Sequence, residues 1–224
     1  MNARKTIKHV LKLGIPVPRA IRPIIRLFYR AGVVVAESGR AGWKILVVEP
    51  VFRSIAEVGS GLRIERIPYI RGNGRIVVGA NAYLSGKIGI GFAGCGECVP
   101  ELLIGDNVFV GHNCAFVAAE RISIGANCLI GNETRIQDND GHPLDADLRR
   151  AGEGVDSSGI KPVIIEDGVW IAPRSTILKG VRIGRNSVIG VGSVVTKDVP
   201  PGTLAAGNPA KVIKTIWQGG GIPS

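Results

Sequence analysis

Ile165-Glu-Asp-Gly-Val-Trp, Ile171-Ala-Pro-Arg-Ser-Thr, Ile177-Leu-Lys-Gly-Val-Arg, Ile183-Gly-Arg-Asn-Ser-Val, Ile189-Gly-Val-Gly-Ser-Val and Val195-Thr-Lys-Asp-Val-Pro run end to end and finish at Pro200. Every sixth residue is Ile or Val, and the fifth is Val or Ser: Val169, Ser175, Val181, Ser187, Ser193 and Val199. That period fits neither a helix nor simple strand alternation. It predicts a parallel β-helix, in which each short strand stacks one aliphatic residue on its equivalent in the next coil.

The register extends backwards through Val58, Ile64 and Ile70, then Val78, Leu84 and Ile90. It resumes at Ile104, Val110 and Phe116, and again at Ile124, Ile130 and Ile136. With three hexapeptides to a triangular coil, coils begin near residues 58, 78, 104, 124, 165 and 183. The fold class is therefore all-β, a parallel β-helix of about six coils with an aliphatic centre. Gly105, Asn107, Gly125, Asn127, Gly131, Gly184 and Asn186 fall where the chain must turn, and positive φ is expected among them. Two insertions break the register, Phe92 to Pro100 and Asp138 to Pro162. Repeat proteins gather insertions on one face, and that face commonly binds.

Charge is distributed unevenly. The chain of 224 residues carries a formal net charge of +10. Residues 1–44 hold Arg4, Lys5, Lys8, Lys12, Arg19, Arg22, Arg26, Arg30, Arg40 and Lys44 against Glu37 alone. Two amphipathic helical segments are expected there, parted by Gly14 and Pro16 to Pro18. They suit a cap over the open end of the coils or a basic face resting on anionic lipid, two compatible roles. Sparse aromatic residues argue against nucleic acid. No apolar stretch is long enough to span a bilayer and no secretory cleavage pattern is present, so a cytoplasmic location is expected, at most peripheral to the membrane. The expected domains are 1–50 (basic helical segment), 51–203 (β-helix with the insertion at 138–162) and 204–224 (C-terminal tail).

Cys114 and Cys128 occupy the inward fifth position and read as core fillers. Cys95 and Cys98 form a lone CxxC without further ligands, and no metal is expected. Of three histidines, His9 lies in the basic segment and His112 near a corner. His142 stands at the root of the long insertion, in NDGHPLDADLRR (139–150), among Asp138, Asp140 and Asp145 and stiffened by Pro143. A histidine on a rigid wall beside carboxylates has the attributes of a general base.

From about Ile104 to Lys214, about half of the chain, the sequence resembles the hexapeptide-repeat acyltransferases, and among them the sugar O-acetyltransferases related to maltose and galactoside acetyltransferases. The likeness rests on GHPLDADLRR (141–150), DGVWIAPRSTILKGVRIG (167–184), VIGVGSVVTKDVPPG (188–202) and AGNPAKVIK (206–214). It implies a left-handed β-helix, a homotrimer with active sites between subunits, and acetyl-CoA as donor. Handedness comes from the resemblance alone, since the general rule for parallel crossovers favours the right hand. The family's catalytic histidine matches His142, which would deprotonate the acceptor hydroxyl while a backbone N–H stabilises the oxyanion. Positions matching its donor contacts are Pro173, Val191, Thr196 and Lys197 along the pantetheine arm, Lys211 and Lys214 at the nucleotide phosphates, and Trp170 as a cap over the site.

The chain departs from that pattern on the acceptor side. The Asn and Asp of the soluble-sugar enzymes align near Gly111 and Ala119, which leaves Asn113, Glu120, Asp138 and Asp140 as acceptor-side candidates. Their N-terminal helical segment is replaced by the basic region and two extra coils. Both departures favour a larger acceptor, a polysaccharide repeat or lipid-linked saccharide of the cell envelope. Rival readings are a serine acetyltransferase, an amino-sugar N-acetyltransferase and a non-catalytic assembly scaffold. A zinc-dependent carbonic anhydrase of this fold needs three coil histidines, and only His112 and His142 are available.

Overall fold

A computed structural model describes residues 22–94 and 98–216. The chain divides between Trp43 and Lys44 into two units. The first contains helix α1 (Arg22–Trp43), and none of its residues is buried. His9, the more N-terminal amphipathic segment and Cys95 lie outside the described residues.

In the second unit a short π-helical turn (Lys44–Val48) leads into α2 (Glu49–Ile55), which runs past the boundary expected at residue 50. Val48 and Phe52 are buried at 2% and 0% exposure and join the coil core. The Arg53 guanidinium donates to the Val58 and Gly59 carbonyls of the first coil at 3.1 and 3.2 Å. Lys44 to Ile55 therefore closes this end of the core, a covering that a stack of open coils requires.

Three parallel sheets follow, one per side of the coil. Sheet A joins β1 (Glu57–Val58), β4 (Arg75–Val78), β7 (Glu101–Ile104), β10 (Arg121–Ile124), β13 (Val163–Ile165) and β16 (Arg182–Ile183). Sheet B joins β2 (Arg63–Ile64), β5 (Tyr83–Leu84), β8 (Phe109–Val110), β11 (Leu129–Ile130), β14 (Trp170–Ile171) and β17 (Val188–Ile189). Sheet C joins β3 (Tyr69–Arg71), β6 (Gly89–Phe92), β9 (Ala115–Ala118), β12 (Arg135–Gln137), β15 (Thr176–Ile177) and β18 (Val194–Val195). The observed register puts each aliphatic residue of the sequence series on its counterpart: Ile104 pairs with Ile124, Ile130 with Ile171, and Ile136 with Ile177. Sheet B is finished by β19 (Thr203–Gly207) and the antiparallel β20 (Ala210–Thr215). The segment expected as a tail from residue 204 is thus partly built into the sheet, and Ala205 is buried in the core.

The corners divide their work between two residue types. Asn81, Asn107, Asn127 and Asn186 take positive φ between 56° and 58°, a conformation asparagine tolerates better than most residues. Their side chains form a ladder, Asn81 donating to Asn107 at 3.3 Å and Asn107 to Asn127 at 3.1 Å. Gly105, Gly125 and Gly131 have a different role from the one expected. Their φ is ordinary, but an added Cβ would come within 2.8, 2.3 and 2.5 Å of the next coil. They are needed for close approach rather than for handedness of the backbone.

Both expected insertions, 92–100 and 138–162, leave the coil at the end of a sheet C strand and return to sheet A, the first with Phe92 still in its strand. The smaller detours at 72–74 and 119–120 use the same edge. The other two edges are packed corner on corner, so this edge alone is free to carry extra chain.

Candidate active site

The long insertion grows from a rigid root. Asp138 is fully buried, and its carboxylate accepts the backbone N–H groups of Ala119, Glu120 and Arg121 at 2.7, 2.8 and 2.7 Å. The Asn139 amide donates to the same group at 2.9 Å and to the Val117 carbonyl at 3.1 Å. Asn139 in turn accepts from the Gly141 N–H at 2.9 Å. Backbone bonds from Lys161 to Asp138 and from Asp140 to Gly159 close the two ends of the insertion on each other.

The His-Pro turn sits on this root. Pro143 is buried and His142 exposed. Helix α3 (Ala146–Ala151) starts at Asp145, which caps it by accepting from the N–H groups of Asp147 and Leu148. From that helix the Arg149 guanidinium reaches back to the carbonyls of Pro143 and Leu144 at 2.8 and 2.6 Å. The backbone beside His142 is therefore held from both sides.

His142 lines two hollows. One, of about 300 Å³, includes Asp140, Asp145, Leu148, Asp156 and Lys179. Lys179 donates to Asp140 at 2.5 Å, with both side chains about a quarter exposed. Asp156 caps the short turn Ser157–Gly159 and is held below the ordinary carboxylate range, first by the Ser158 hydroxyl and then by the Gly159 N–H. The second hollow, of about 640 Å³, opens from Gly141 and His142 across the outer face of sheet C.

The expected acceptor-side residues separate on this geometry. Asp140 stands beside His142. Asp138 does not face the site, because all of its hydrogen-bonding capacity is spent inside the root; that expectation is corrected. Asn113 is a positive-φ corner residue, and Glu120 is exposed on the turn that Asp138 organises. Neither is among the residues lining the two hollows. Lys179 was not singled out from sequence, since a lysine at an exposed corner has no local signal of a distant carboxylate partner.

The donor-side candidates fall on the C-terminal coils. Pro173 and Val191 occupy adjacent corners, joined by the Gly192 N–H to the Pro173 carbonyl at 3.0 Å. Thr196 and Lys197 are exposed just beyond β18, and Lys211 and Lys214 are exposed on β20. Trp170 projects from sheet B at 48% exposure. None of them lines either hollow beside His142. Among the described residues, then, these positions stand outside the two hollows that His142 lines. Cys114 and Cys128 are buried, each donating to a carbonyl at 3.1 Å, and burial pushes both thiols up to about 11. At neutral pH neither is a thiolate nucleophile.

Comparison with known proteins agrees with this architecture. The family described as bacterial transferase hexapeptide (six repeats) matches residues 162–197, and the hexapeptide repeat of succinyl-transferase matches residues 102–134. Galactoside O-acetyltransferase of Escherichia coli is 37% identical over 139 residues, 62% of this chain and 63% of that enzyme. The chain spans only 52%, 58% and 63% of the lengths of three curated relatives it matches. Among solved structures, a hexapeptide-repeat acetyltransferase of Vibrio cholerae complexed with acetyl-CoA is 28% identical with a TM-score of 0.54, covering 74% of each chain. The polySia-specific acetyltransferase NeuO is 27% identical with a TM-score of 0.51, covering 73% of this chain and 85% of its own.

The root makes a testable distinction between two neighbouring aspartates. Asp138→Ala removes the acceptor of three backbone N–H groups and of the Asn139 amide, and is expected to cost about 3 kcal/mol or more in urea unfolding. Asp140→Asn, which weakens a partly exposed pair, should cost less than about 1 kcal/mol.

Proposed function

We propose that this chain, a left-handed parallel β-helix that belongs to the hexapeptide-repeat transferases, moves an acetyl group from acetyl-CoA to a saccharide hydroxyl with His142 as general base. The observation that carries the reading is the position of His142 on an immobilised turn, at the meeting of two hollows large enough to admit reactants. The galactoside specificity of the Escherichia coli relative and the acetyl-CoA bound by the Vibrio cholerae structure support the acceptor and donor classes.

The reaction needs no covalent enzyme intermediate. His142 takes the proton of an acceptor hydroxyl as its oxygen attacks the thioester carbonyl. The carbonyl oxygen gains the charge of a tetrahedral intermediate, which a backbone N–H is suited to stabilise. Collapse breaks the carbon–sulfur bond, and the proton held by His142 returns to the departing thiolate. Acetyl ester and coenzyme A leave. The high thiol pKa values of Cys114 and Cys128 support direct transfer over an acyl-cysteine route.

We assign the donor to Pro173, Val191, Thr196, Lys197, Lys211 and Lys214, with Trp170 at its edge. Their separation from the hollows of His142 in one chain favours a homotrimer, in which one subunit's histidine faces a neighbour's donor track. On the acceptor side we retain Asp140, with Asn113 and Glu120 as outer candidates, for a cell-envelope or exopolysaccharide precursor.

α1 adds a reading of location. Arg22, Arg26, Arg30 and Arg40 lie along one side of it, while Ile24, Leu27, Phe28, Val34 and Val35 are exposed on the other. Such a helix suits the interface of an anionic membrane. No helix among the described residues is long and apolar enough to cross a bilayer.

Thiol release from acetyl-CoA, measured with and without a cell-envelope glycan fraction, tests the chemistry. Glycan-dependent release should fall at least a hundredfold in His142→Ala. Release that persists in the variant removes the histidine from its role, release only with serine or an amino sugar redirects the acceptor, and no coenzyme A binding leaves the scaffold reading. For α1, the full chain should sediment with phosphatidylglycerol vesicles and not with phosphatidylcholine. Leu27→Asp combined with Phe28→Asp should abolish that binding; unchanged sedimentation would rule out lipid contact through this face.

A further inference from the structure

The outer face of sheet C has walls at two levels and an empty floor between them. Its outward residues form two columns. Tyr69 pairs with Gly89, Gly89 with Ala115, and Ala115 with Arg135. Arg71 pairs with Gly91, Gly91 with Val117, and Val117 with Gln137. The first and fourth coils therefore supply long polar and aromatic side chains, and the second and third supply small ones. The result is the trough of about 640 Å³ that ends at Gly141 and His142.

The two floor glycines are not demanded by the fold. A Cβ on Gly89 would meet nothing nearer than 4.0 Å, and one on Gly91 nothing nearer than 3.9 Å. Neither has positive φ. Corner glycines such as Gly79 and Gly111 differ sharply, for a Cβ there would come within 2.3 Å of the next coil. Glycine inside a strand weakens it, and where packing gives no reason it marks close approach by a ligand or another backbone.

The charges of the trough are also unlike those on sheet A. On sheet A, Arg75 bridges Glu57 and Glu101, Arg121 pairs with Glu101, and Arg182 with Glu166. On sheet C, Arg71 and Arg135 have no carboxylate partner among the described residues. Arg135 donates to the neutral Gln137 side chain at 2.6 Å. Among the described residues, no acidic one lines the trough. Tyr69, 65% exposed, offers a ring face and a hydroxyl at its far wall.

We propose that this trough docks an elongated acidic saccharide, whose carboxylates meet Arg71 and Arg135 and whose sugar rings lie over Gly89 and Gly91. Three strand spacings separate its walls, roughly 14 Å, longer than one sugar ring. Guanidinium groups pair with carboxylates through two parallel hydrogen bonds, so the two arginines select acidic chains over neutral ones. The purpose of the binding rests on the acetyl-transfer reading, with one sugar of the chain delivered to His142. The binding itself does not.

Titration calorimetry on the full chain tests it, with oligogalacturonate and oligoalginate as acidic probes. The controls are a malto-oligosaccharide of equal length and free galacturonate. At least one acidic oligomer should bind ten times more tightly than both controls. Gly91→Val should weaken that binding at least tenfold without lowering the unfolding midpoint, because a Cβ there meets nothing nearer than 3.9 Å and valine favours a strand. Arg71→Gln with Arg135→Gln should remove the preference for acidic over neutral chains. Equal binding of neutral and acidic chains, binding of neither, or indifference to Gly91→Val would overturn the proposal. So would loss of oligomer mass in Gly91→Val without a change in glycan binding, which would make the trough a contact between copies of this chain. Acidic binding without acetyl transfer would leave the trough standing and remove the proposed reaction; transfer to neutral sugars insensitive to the trough would do the reverse.

Discussion

The stacking of one aliphatic residue on the next is the constraint from which the rest of the molecule follows. Ile130, Ile171 and Ile189 lie in one column of sheet B, and Ile136 and Ile177 in one column of sheet C, all with no exposed surface. Each isoleucine buried in this way is worth roughly 1.5–3 kcal/mol of transfer free energy. Because every coil must present its aliphatic residue at the same height and angle, no strand can slip without moving the whole column. That demand fixes the length of two of the three corners. Close-approach glycines and left-handed asparagines then fill them, leaving one edge where extra chain costs nothing in register.

The proposed function draws on that edge for the same reason. The longest detour carries His142, and its root is tied by Asp138 to the corner of the coil before it and by Lys179 to a corner of the coil after it. The catalytic candidate is thus a loop residue with the rigidity of the stack behind it, a combination that a general base needs if it is to meet a hydroxyl at hydrogen-bonding distance. The outer faces of the coils are freer, since they point away from the core. Sheet A uses them for arginine–glutamate pairs. These hold Glu101 and Glu166 below the ordinary value of 4.5, Glu101 first through Arg75 and Glu166 first through the Arg185 N–H.

Much of the fold could be read from the period alone. The aliphatic residues at 58, 64 and 70, through to 183, 189 and 195, occupy the inward positions of the three sheets. Handedness could not be read that way, because a column of isoleucines stacks equally well in either sense. The end caps fall outside the period: α2 and β19 owe their places to contacts with the terminal coils rather than to the hexapeptide pattern. At the site, His142 stood out because proline and aspartates crowd it in sequence and because its segment resembles the family's His-Pro motif, and it lines both hollows. Asp138 was misread for the same reason, since nearness in sequence does not say whether a carboxylate faces a cleft or is consumed by backbone N–H groups. Lys179 and the Gly89–Gly91 floor were invisible, being meaningful only once neighbouring coils are stacked.

The most direct measurement of the central claim is kcat/KM for acceptor acetylation at saturating acetyl-CoA in wild type and His142→Ala, with the mass of the enzyme recorded before acceptor is added. Direct transfer through His142 predicts a fall of at least a hundredfold in the variant and an enzyme that carries no acetyl group. Undiminished kcat/KM in the variant, or an acetylated enzyme accumulating before acceptor is added, would contradict it.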